Sequence, residues 1–497
     1  MAVMLAAAVN YSWSQALGDM AQISPVLVVS VALLVAMILD LVLPPQVRGA
    51  SAAAVSLVGL VGAIVAALLL YQSRGHGAYS KFATGDDFAV FFHVFFAVLG
   101  ILTILVTHPY LARRNFLQPE FYILLLAATA GMMVMGSATS LVTIFLGLEL
   151  LSVALYVMSG FARRDTKSQE AGVKYLLMGG FASAFVLYGM ALIYGATGST
   201  VLATIAQAAG SDPGNNLLVL GILLLGVGFA FKVSAAPFQM WTPDVYQGAP
   251  LPVTAFMSVG TKAAAFAMIL RVFGQGLPGL SHDWGALLAF VAAASMIVGN
   301  LAAIVQSSLK RLLAYSGVAQ AGYILVGVLG AHGAGQAAVL FYLAAYLVMN
   351  FGAFAILVVM SGPLGDRDRF GDLDGLGYRH PLLGVLMTLF MFSLAGFPPT
   401  AGFIGKFFLF AAGVSGGYTW LVILAVLMSV VSVYYYFRVV VHVWTPPAAP
   451  EARFAVPAGA GLAIILSGVL ALVLGLFPSL LFALAQLGAA PVVAAGG

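Results

Sequence analysis

Charge is what this sequence has least of. Only 7% of its 497 residues are charged, against 62% hydrophobic, where a soluble globular chain carries about 25% charged residues. So few charges cannot cover a water-facing surface, which excludes a soluble fold and implies that most of the surface meets lipid or other apolar protein. Cysteine is absent, and this excludes disulfides, cysteine-ligated iron–sulfur clusters and thiol catalysis in this chain. The opening stretch, "MAVMLAAAVNYSWSQ", has no basic residue, and the first Lys or Arg is Arg48; a cleaved signal peptide is therefore not expected. A net charge of +4 is too small for a nucleic-acid footprint and reads as loop bias. The short alternating runs of a membrane β-barrel are missing as well.

What the chain does have is apolar runs of about 20 residues, each enough to span a bilayer as a helix. They fall at roughly 24–43, 52–72, 86–107, 119–137, 139–162, 170–195, 216–250, 252–275, 284–306, 310–330, 334–360, 381–411, 417–444 and 457–484. The reading is an all-α integral membrane protein of about 14 transmembrane helices in a single membrane domain. The longest polar loop runs from Gly362 to His380, and 200–210 reads as a short interfacial helix. Loops after odd-numbered spans hold 12 basic residues: Arg48, Arg113, Arg114, Arg163, Arg164, Lys167, Lys310, Arg311, Arg367, Arg369, Arg379 and Arg453. The opposite loops hold two, Arg74 and Lys81. By the positive-inside rule the odd loops are cytoplasmic and both termini lie outside.

Six basic residues remain within spans. Arg271 and Arg438 lie near span ends, where snorkelling to the interface is expected. Lys174, Lys232, Lys262 and Lys406 lie deeper, and Glu149 in "FLGLELLSV" is the acid in the middle of a span. A charge near the bilayer centre costs at least about 2.5–3.5 kcal/mol, so such residues usually face a bundle interior or a hydrated path. Buried ion pairing or snorkelling is the competing explanation, and it is strongest for Lys174, near the start of span 6.

Span 7 is about 35 residues, roughly 52 Å as continuous helix, against a hydrocarbon core of about 30 Å. It must break, and Pro237 and Pro243 mark where, because proline removes a backbone donor and clashes with the preceding turn. Backbone freed at membrane depth must be buried in protein or line a wet cavity. Lys232 precedes this break, near the carbonyl end of the first half-helix, where the dipole favours a cation. Span 12 repeats the pattern in "LAGFPPTAGFIGKFF", with Pro398 and Pro399 at the break and Lys406 after it. Two interrupted helices in corresponding places point to an inverted-repeat transporter with sites near the midplane. The repeats are five helices each, 119–275 (helices 4–8, helix 7 interrupted) and 284–444 (helices 9–13, helix 12 interrupted). Three N-terminal helices (1–118) precede them and helix 14 (457–484) follows.

A free lysine holds its proton near pH 7. Burial lowers a lysine pKa by up to about 3–5 units, and a carboxylate at about 4 Å returns roughly 4 kcal/mol at an effective dielectric near 20. Moving a carboxylate toward or away from a lysine would therefore switch its proton on or off. One glutamate and several lysines spread over spans 5, 6, 7, 8 and 12 have the composition of a proton relay.

At these residues the chain resembles the antiporter-like membrane subunits of respiratory complex I, the proton-translocating NADH–quinone oxidoreductase, and its N type in particular, the counterpart of mitochondrial subunit 2. The stretches that carry this are "FLGLELLSVALYVMSGF", "SQEAGVKYLLMGGFASAFVLYGMALIYGATGS", "FKVSAAPFQMWTPDVYQGAPLPVTAFMSVGTKAAAFA", "LKRLLAYSGVAQAGY" and "GFPPTAGFIGKF". Lysine in span 12 favours the N type; its sister subunits typically carry an acid there. The resemblance implies that Glu149 and Lys174 form an ion pair, that Lys232 and Lys262 are central proton sites, and that Lys406 is a terminal one. Gln320 stands where many relatives have histidine; glutamine can bind water but does not titrate near neutral pH. With His332, which otherwise reads as an ordinary loop histidine, Gln320 makes up a secondary polar path. The resemblance further implies no cofactor in this chain, with NADH, FMN, iron–sulfur clusters and quinone in partner subunits. Those partners would include subunits M and K, in a bacterial inner membrane with both termini periplasmic. An Mrp-type sodium/proton antiporter subunit is the alternative.

Overall fold

The computed structural model describes residues 18, 20–73, 78–79, 81–114, 116–212, 214–330, 333–362, 365–447 and 454–489. Helices dominate: α1 (Ser24–Val42), α2 (Pro45–Ser73), α3 (Asp87–Arg113), α4 (Pro119–Ser137), α5 (Leu141–Ser159), α6 (Thr166–Thr197), α7 (Leu202–Ser211), α8 (Asn216–Lys232), α9 (Trp241–Gly248) and α10 (Leu251–Ile269) come first. They are followed by α11 (Ser281–Ile304), α12 (Leu309–Val328), α13 (Ala334–Met360), α14 (Leu376–Arg379), α15 (Pro381–Ala395), α16 (Ala401–Ser415), α17 (Thr419–Trp444), α18 (Ala458–Leu476) and α19 (Ser479–Gly488). The fourteen expected spans are all present, span 7 as α8 plus α9 and span 12 as α15 plus α16. Among the described residues, 11 helices are individually long and apolar enough to cross a membrane. The short helix expected at 200–210 is α7. One addition to the all-helical reading is a hairpin of two-residue strands between α2 and α3, Ala78–Tyr79 against Ala83–Thr84.

Helix ends follow local chemistry. Asp86, Ser140, Asp165, Asn215 and Ser308 cap α3, α5, α6, α8 and α12 through side-chain oxygens that accept backbone N–H groups, satisfying donors a helix leaves unpaired. The first interruption runs from Val233 to Met240 and contains Pro237. Pro243 does not break the helix, contrary to the sequence reading: it lies in the first turn of α9, where a missing N–H costs nothing. The second interruption starts at Gly396 in the left-handed region (φ 93°), a conformation glycine adopts freely, and passes through Pro398 and Pro399 before α16 begins at Ala401.

The two five-span stretches pack alike. α4 packs on α5, as α11 does on α12; α6 packs on α8, as α13 does on α15 and α16; α10 returns to α4, as α17 returns to α11. Five crossings put the start of the second stretch on the membrane side opposite the start of the first, so equal packing requires inversion. α10 is buried along its whole length and α13 along nearly all of it, so these two helices make up the centre of the bundle. Lipid-facing stripes of leucine, valine and phenylalanine remain on α1, α2, α6 and α17.

Arg271 does not snorkel. It lies in the π-helical extension of α10, 1% exposed. Its guanidinium donates to both Asp86 carboxylate oxygens at 2.7 and 2.6 Å and to the Gly136 carbonyl at 3.0 Å. Its neighbour on the other face is the Phe88 ring, 4.4 Å from the centroid. Position near a span end did not decide its fate because a helix in the bundle centre has no lipid interface to reach. Arg438 does lie near the end of α17, donating to the Ile304 and Gln306 carbonyls with its guanidinium 4.0 Å over Phe370.

Candidate functional site

Lys232 is the last residue of α8 and is buried. Its ammonium donates to Ser152 Oγ at 2.7 Å, and Ser152 donates in turn to the Leu148 carbonyl. Ser152 stands one turn from Glu149 on α5, so the two share a face. Glu149 Oε1 accepts from Ser183 Oγ of α6 at 2.5 Å. The rings of Tyr156 and Tyr175 each stand 5.7 Å from the Lys232 nitrogen. Tyr175 stacks on Trp241 of α9 at 4.5 Å, and Trp241 Nε1 donates to the Phe231 carbonyl at 2.9 Å. These contacts hold the two halves of span 7 together across the break.

The break itself supplies the next contact. Val233, the first residue beyond α8, has a carbonyl with no helical turn after it, and Lys262 of α10 donates to it at 2.7 Å. Span 12 does the same: Lys406 of α16 donates to the Leu394 and Ala395 carbonyls at the end of α15, at 3.1 and 2.9 Å, and to Ser429 Oγ of α17 at 2.9 Å. In both places a buried ammonium rests on carbonyls at the negative end of an interrupted helix, where a cation is favoured. Lys232, Lys262 and Lys406 are at most 4% exposed, and among the described residues none of the three has a carboxylate within ion-pair distance.

Gln320 of α12 links the two. Its Nε2 donates to the Leu394 carbonyl at 3.2 Å, the same carbonyl that Lys406 uses, and to Tyr436 Oη at 3.1 Å. Tyr342 donates to its Oε1, and Ser316 bonds Tyr436 at 2.5 Å. A Cβ built on Gly317 would stand 3.9 Å from Lys262 Cε and 3.2 Å from Tyr346 Oη, so Lys262 and Tyr346 flank the turn of α12 that carries Ser316. Lys232, Lys262, Gln320 and Lys406 thus lie along one string of buried polar groups running across the bundle, with the half-buried Glu149 at its end. His332 lies outside the described residues.

Lys174 is not on this string, and the structure does not bring it to Glu149. Its side chain is 41% exposed and pairs with Glu170 at 2.7 Å and Asp244 at 3.1 Å. α6 begins at Thr166 with Asp165 as its cap, and two turns into that helix Lys174 faces an open pocket formed with α9. Asp244 also accepts from Arg311 at 2.7 Å. This acid was missed in the sequence, although it stands inside the quoted stretch around the break. Asp366, in the loop after α13, was missed too: it accepts from Lys310 at 2.6 Å, Arg114 at 2.7 Å and Tyr110 at 2.9 Å. Burial pushes its carboxyl up, but Lys310 and Arg114 outweigh burial and hold it below the usual carboxylate range. Ser152, Ser183, Tyr342 and Tyr436 carried no signal in one dimension, since serine and tyrosine are common in membrane helices.

Residues 138–432 match the family described as NADH:quinone oxidoreductase/Mrp antiporter, TM. The NADH-quinone oxidoreductase subunit N of Trichlorobacter lovleyi is 45% identical over 469 residues, 93% of this chain and 96% of that protein. A chain of respiratory complex I from Thermus thermophilus superposes with a TM-score of 0.80 at 37% identity, covering 93% of this chain and 99% of its own. A chain of the Mrp complex from Dietzia shares the fold, with a TM-score of 0.81 at 24% identity. By sequence match over more than half its length and by identity to these relatives, the chain belongs to the NADH:quinone oxidoreductase/Mrp antiporter membrane-subunit family.

Proposed function

We propose that this chain is the N-type antiporter-like subunit of a bacterial NADH–quinone oxidoreductase, and that the string Glu149, Lys232, Lys262, Gln320 and Lys406 moves protons across the membrane. The observation that carries this is three ammonium groups buried in the bilayer interior on neutral oxygen acceptors alone. A structural ion pair would neutralise each charge; a group held only by carbonyls and hydroxyls can lose and regain its proton without leaving a buried carboxylate behind. Glu149 supplies the movable counter-charge, one turn from the serine that holds Lys232. Gln320 acts as a hydrogen-bonding bridge between Lys262 and Lys406 in place of a titrating group.

Moving a proton against roughly 200 mV costs about 4.6 kcal/mol, and this energy comes from NADH oxidation and quinone reduction in other subunits. NADH, FMN, iron–sulfur clusters and quinone belong to those partners. Subunits M and K flank this chain in the assembly. The basic residues of the odd loops support a cytoplasmic face for Lys174, Asp244 and Asp366 and a periplasmic face for both termini. The identity to subunit N relatives (45%) against 24% to the Mrp chain favours the redox-coupled reading over an Mrp-type antiporter.

The test is proton-to-electron stoichiometry in proteoliposomes holding the whole complex with Lys232→Met or Lys262→Met. Both substitutions lower the ratio while the complex still assembles. An unchanged ratio in both would show that the lysines only pack helices.

A further inference from the structure

On its cytoplasmic side the polar string stops at Lys262. One turn nearer the cytoplasm on α10 stands Ser258, and opposite it on α13 stands Asn350, both buried. Asn350 Nδ2 donates to Ser258 Oγ at 2.8 Å, and Ser258 donates to the Ala255 carbonyl at 2.9 Å. This leaves Asn350 Oδ1 buried with no protein partner. Buried polar atoms are nearly always satisfied, by ordered water where the protein supplies nothing. An ordered water would satisfy the orphaned oxygen.

Its place on the two helices gives that water a use. Ser258 and Lys262 are four residues apart and share a face of α10, and Tyr342, Tyr346 and Asn350 follow at the same spacing on α13. Tyr342 meets Gln320, Tyr346 meets the Gly317 turn beside Lys262, and Asn350 meets Ser258. Asn350 is the cytoplasmic rung of this ladder. One turn further out, Thr254 donates to the Tyr246 carbonyl at 3.0 Å. Beyond it Lys310 bridges the Ala249 carbonyl at 3.0 Å and Asp366 at 2.6 Å, in the cytoplasmic loop.

We infer that Asn350 and Ser258 hold the water through which Lys262 takes its proton from the cytoplasmic side. The inference rests on the relay reading of Lys262. In the step, a proton on that water passes to the neutral Lys262 amine, and the water is reprotonated from the cytoplasmic side; only O–H and N–H bonds change. Asn350 and Ser258 are positioning residues, since neither titrates in the working range.

The test uses the intact complex in proteoliposomes, with NADH-driven proton uptake recorded across a pH series. Asn350→Leu fills the site with carbon, and the proton-to-electron ratio falls to that of Lys262→Met. Asn350→Asp restores at least half of the lost pumping and gives it a new pH dependence, which a merely structural role would not. Ser258→Ala slows uptake several-fold, and it decides the matter if Asn350→Leu fails to assemble. Wild-type ratios in Asn350→Leu and Ser258→Ala beside a lowered ratio in Lys262→Met overturn the inference and leave the relay standing. A wild-type ratio in Lys262→Met overturns the relay itself.

Discussion

The buried pair of Arg271 and Asp86 allows a quantitative test of packing outside the polar string. Asp86→Asn keeps both the volume and the helix cap, since asparagine caps as well as aspartate, and the Ala89 N–H that Asp86 now binds at 2.9 Å keeps an acceptor. What it removes is the charge opposite a guanidinium that is 1% exposed. The guanidinium then retains the Gly136 carbonyl and the Phe88 face but loses this carboxylate. Breaking a buried pair from one side costs about 3–5 kcal/mol, because it strands the other charge. That is roughly a 10²- to 10⁴-fold loss in the folded-to-unfolded ratio. Arg271→Met alone strands the carboxylate at a similar cost. The double variant leaves no charge to strand, so its loss falls far short of the sum of the singles, which is about 6–10 kcal/mol, in line with apolar replacement of whole buried pairs being close to neutral. Thermal unfolding of the detergent-solubilised complex, with the amount of assembled complex in membranes, measures all four corners of the cycle. The pair lies apart from the lysine string, so proton pumping per electron in the double variant stays at the wild-type value. Additive losses, within about 0.5 kcal/mol, would refute the coupling and with it the view that Arg271 is a structural cation.

Three further outcomes are expected. Gly402→Ala places a Cβ 1.8 Å from the Ser393 carbonyl oxygen at the span 12 break; overpacking of this kind costs about 1–3 kcal/mol, and assembly and pumping both fall, whereas Gly180→Ala, with open space around it, changes neither. Lys174→Ala leaves the proton-to-electron ratio unchanged and costs at most about 1 kcal/mol, as exposed pairs do, while Glu149→Gln lowers the ratio; equal effects would return Lys174 to the relay. Asp366 has a folded pKa below its unfolded value of about 3.9, so its stabilisation is present above that pH and is lost as the pH falls through the lower folded value; between pH 3 and pH 6 the melting temperature of the wild type drops on acidification more than that of Asp366→Asn.

Much of this protein is legible in one dimension because the bilayer imposes a local rule. Every crossing needs about 20 apolar residues, so the fourteen spans, the two interrupted ones and the odd-loop charge bias can be counted from hydropathy, length and proline alone. The interruptions also locate Lys232 and Lys406, since each lies within a few residues of a break. Inversion follows from the count of five spans per repeat. Partner choice does not follow. Lys174 turns to Asp244, 70 residues away, and not to Glu149; Arg271 reaches Asp86 across 185 residues; Pro243 starts a half-helix that another proline's break makes necessary. Gln320 looks like a missing histidine until the Leu394 carbonyl and the Tyr342 and Tyr436 hydroxyls are brought around it. Hydropathy and helical period depend on neighbours within a few residues, and so the sequence by itself determined how many times the chain crosses and where it breaks. Which charge meets which oxygen depends on the rotation and depth at which helices distant in the chain pack, and only the tertiary structure decided that.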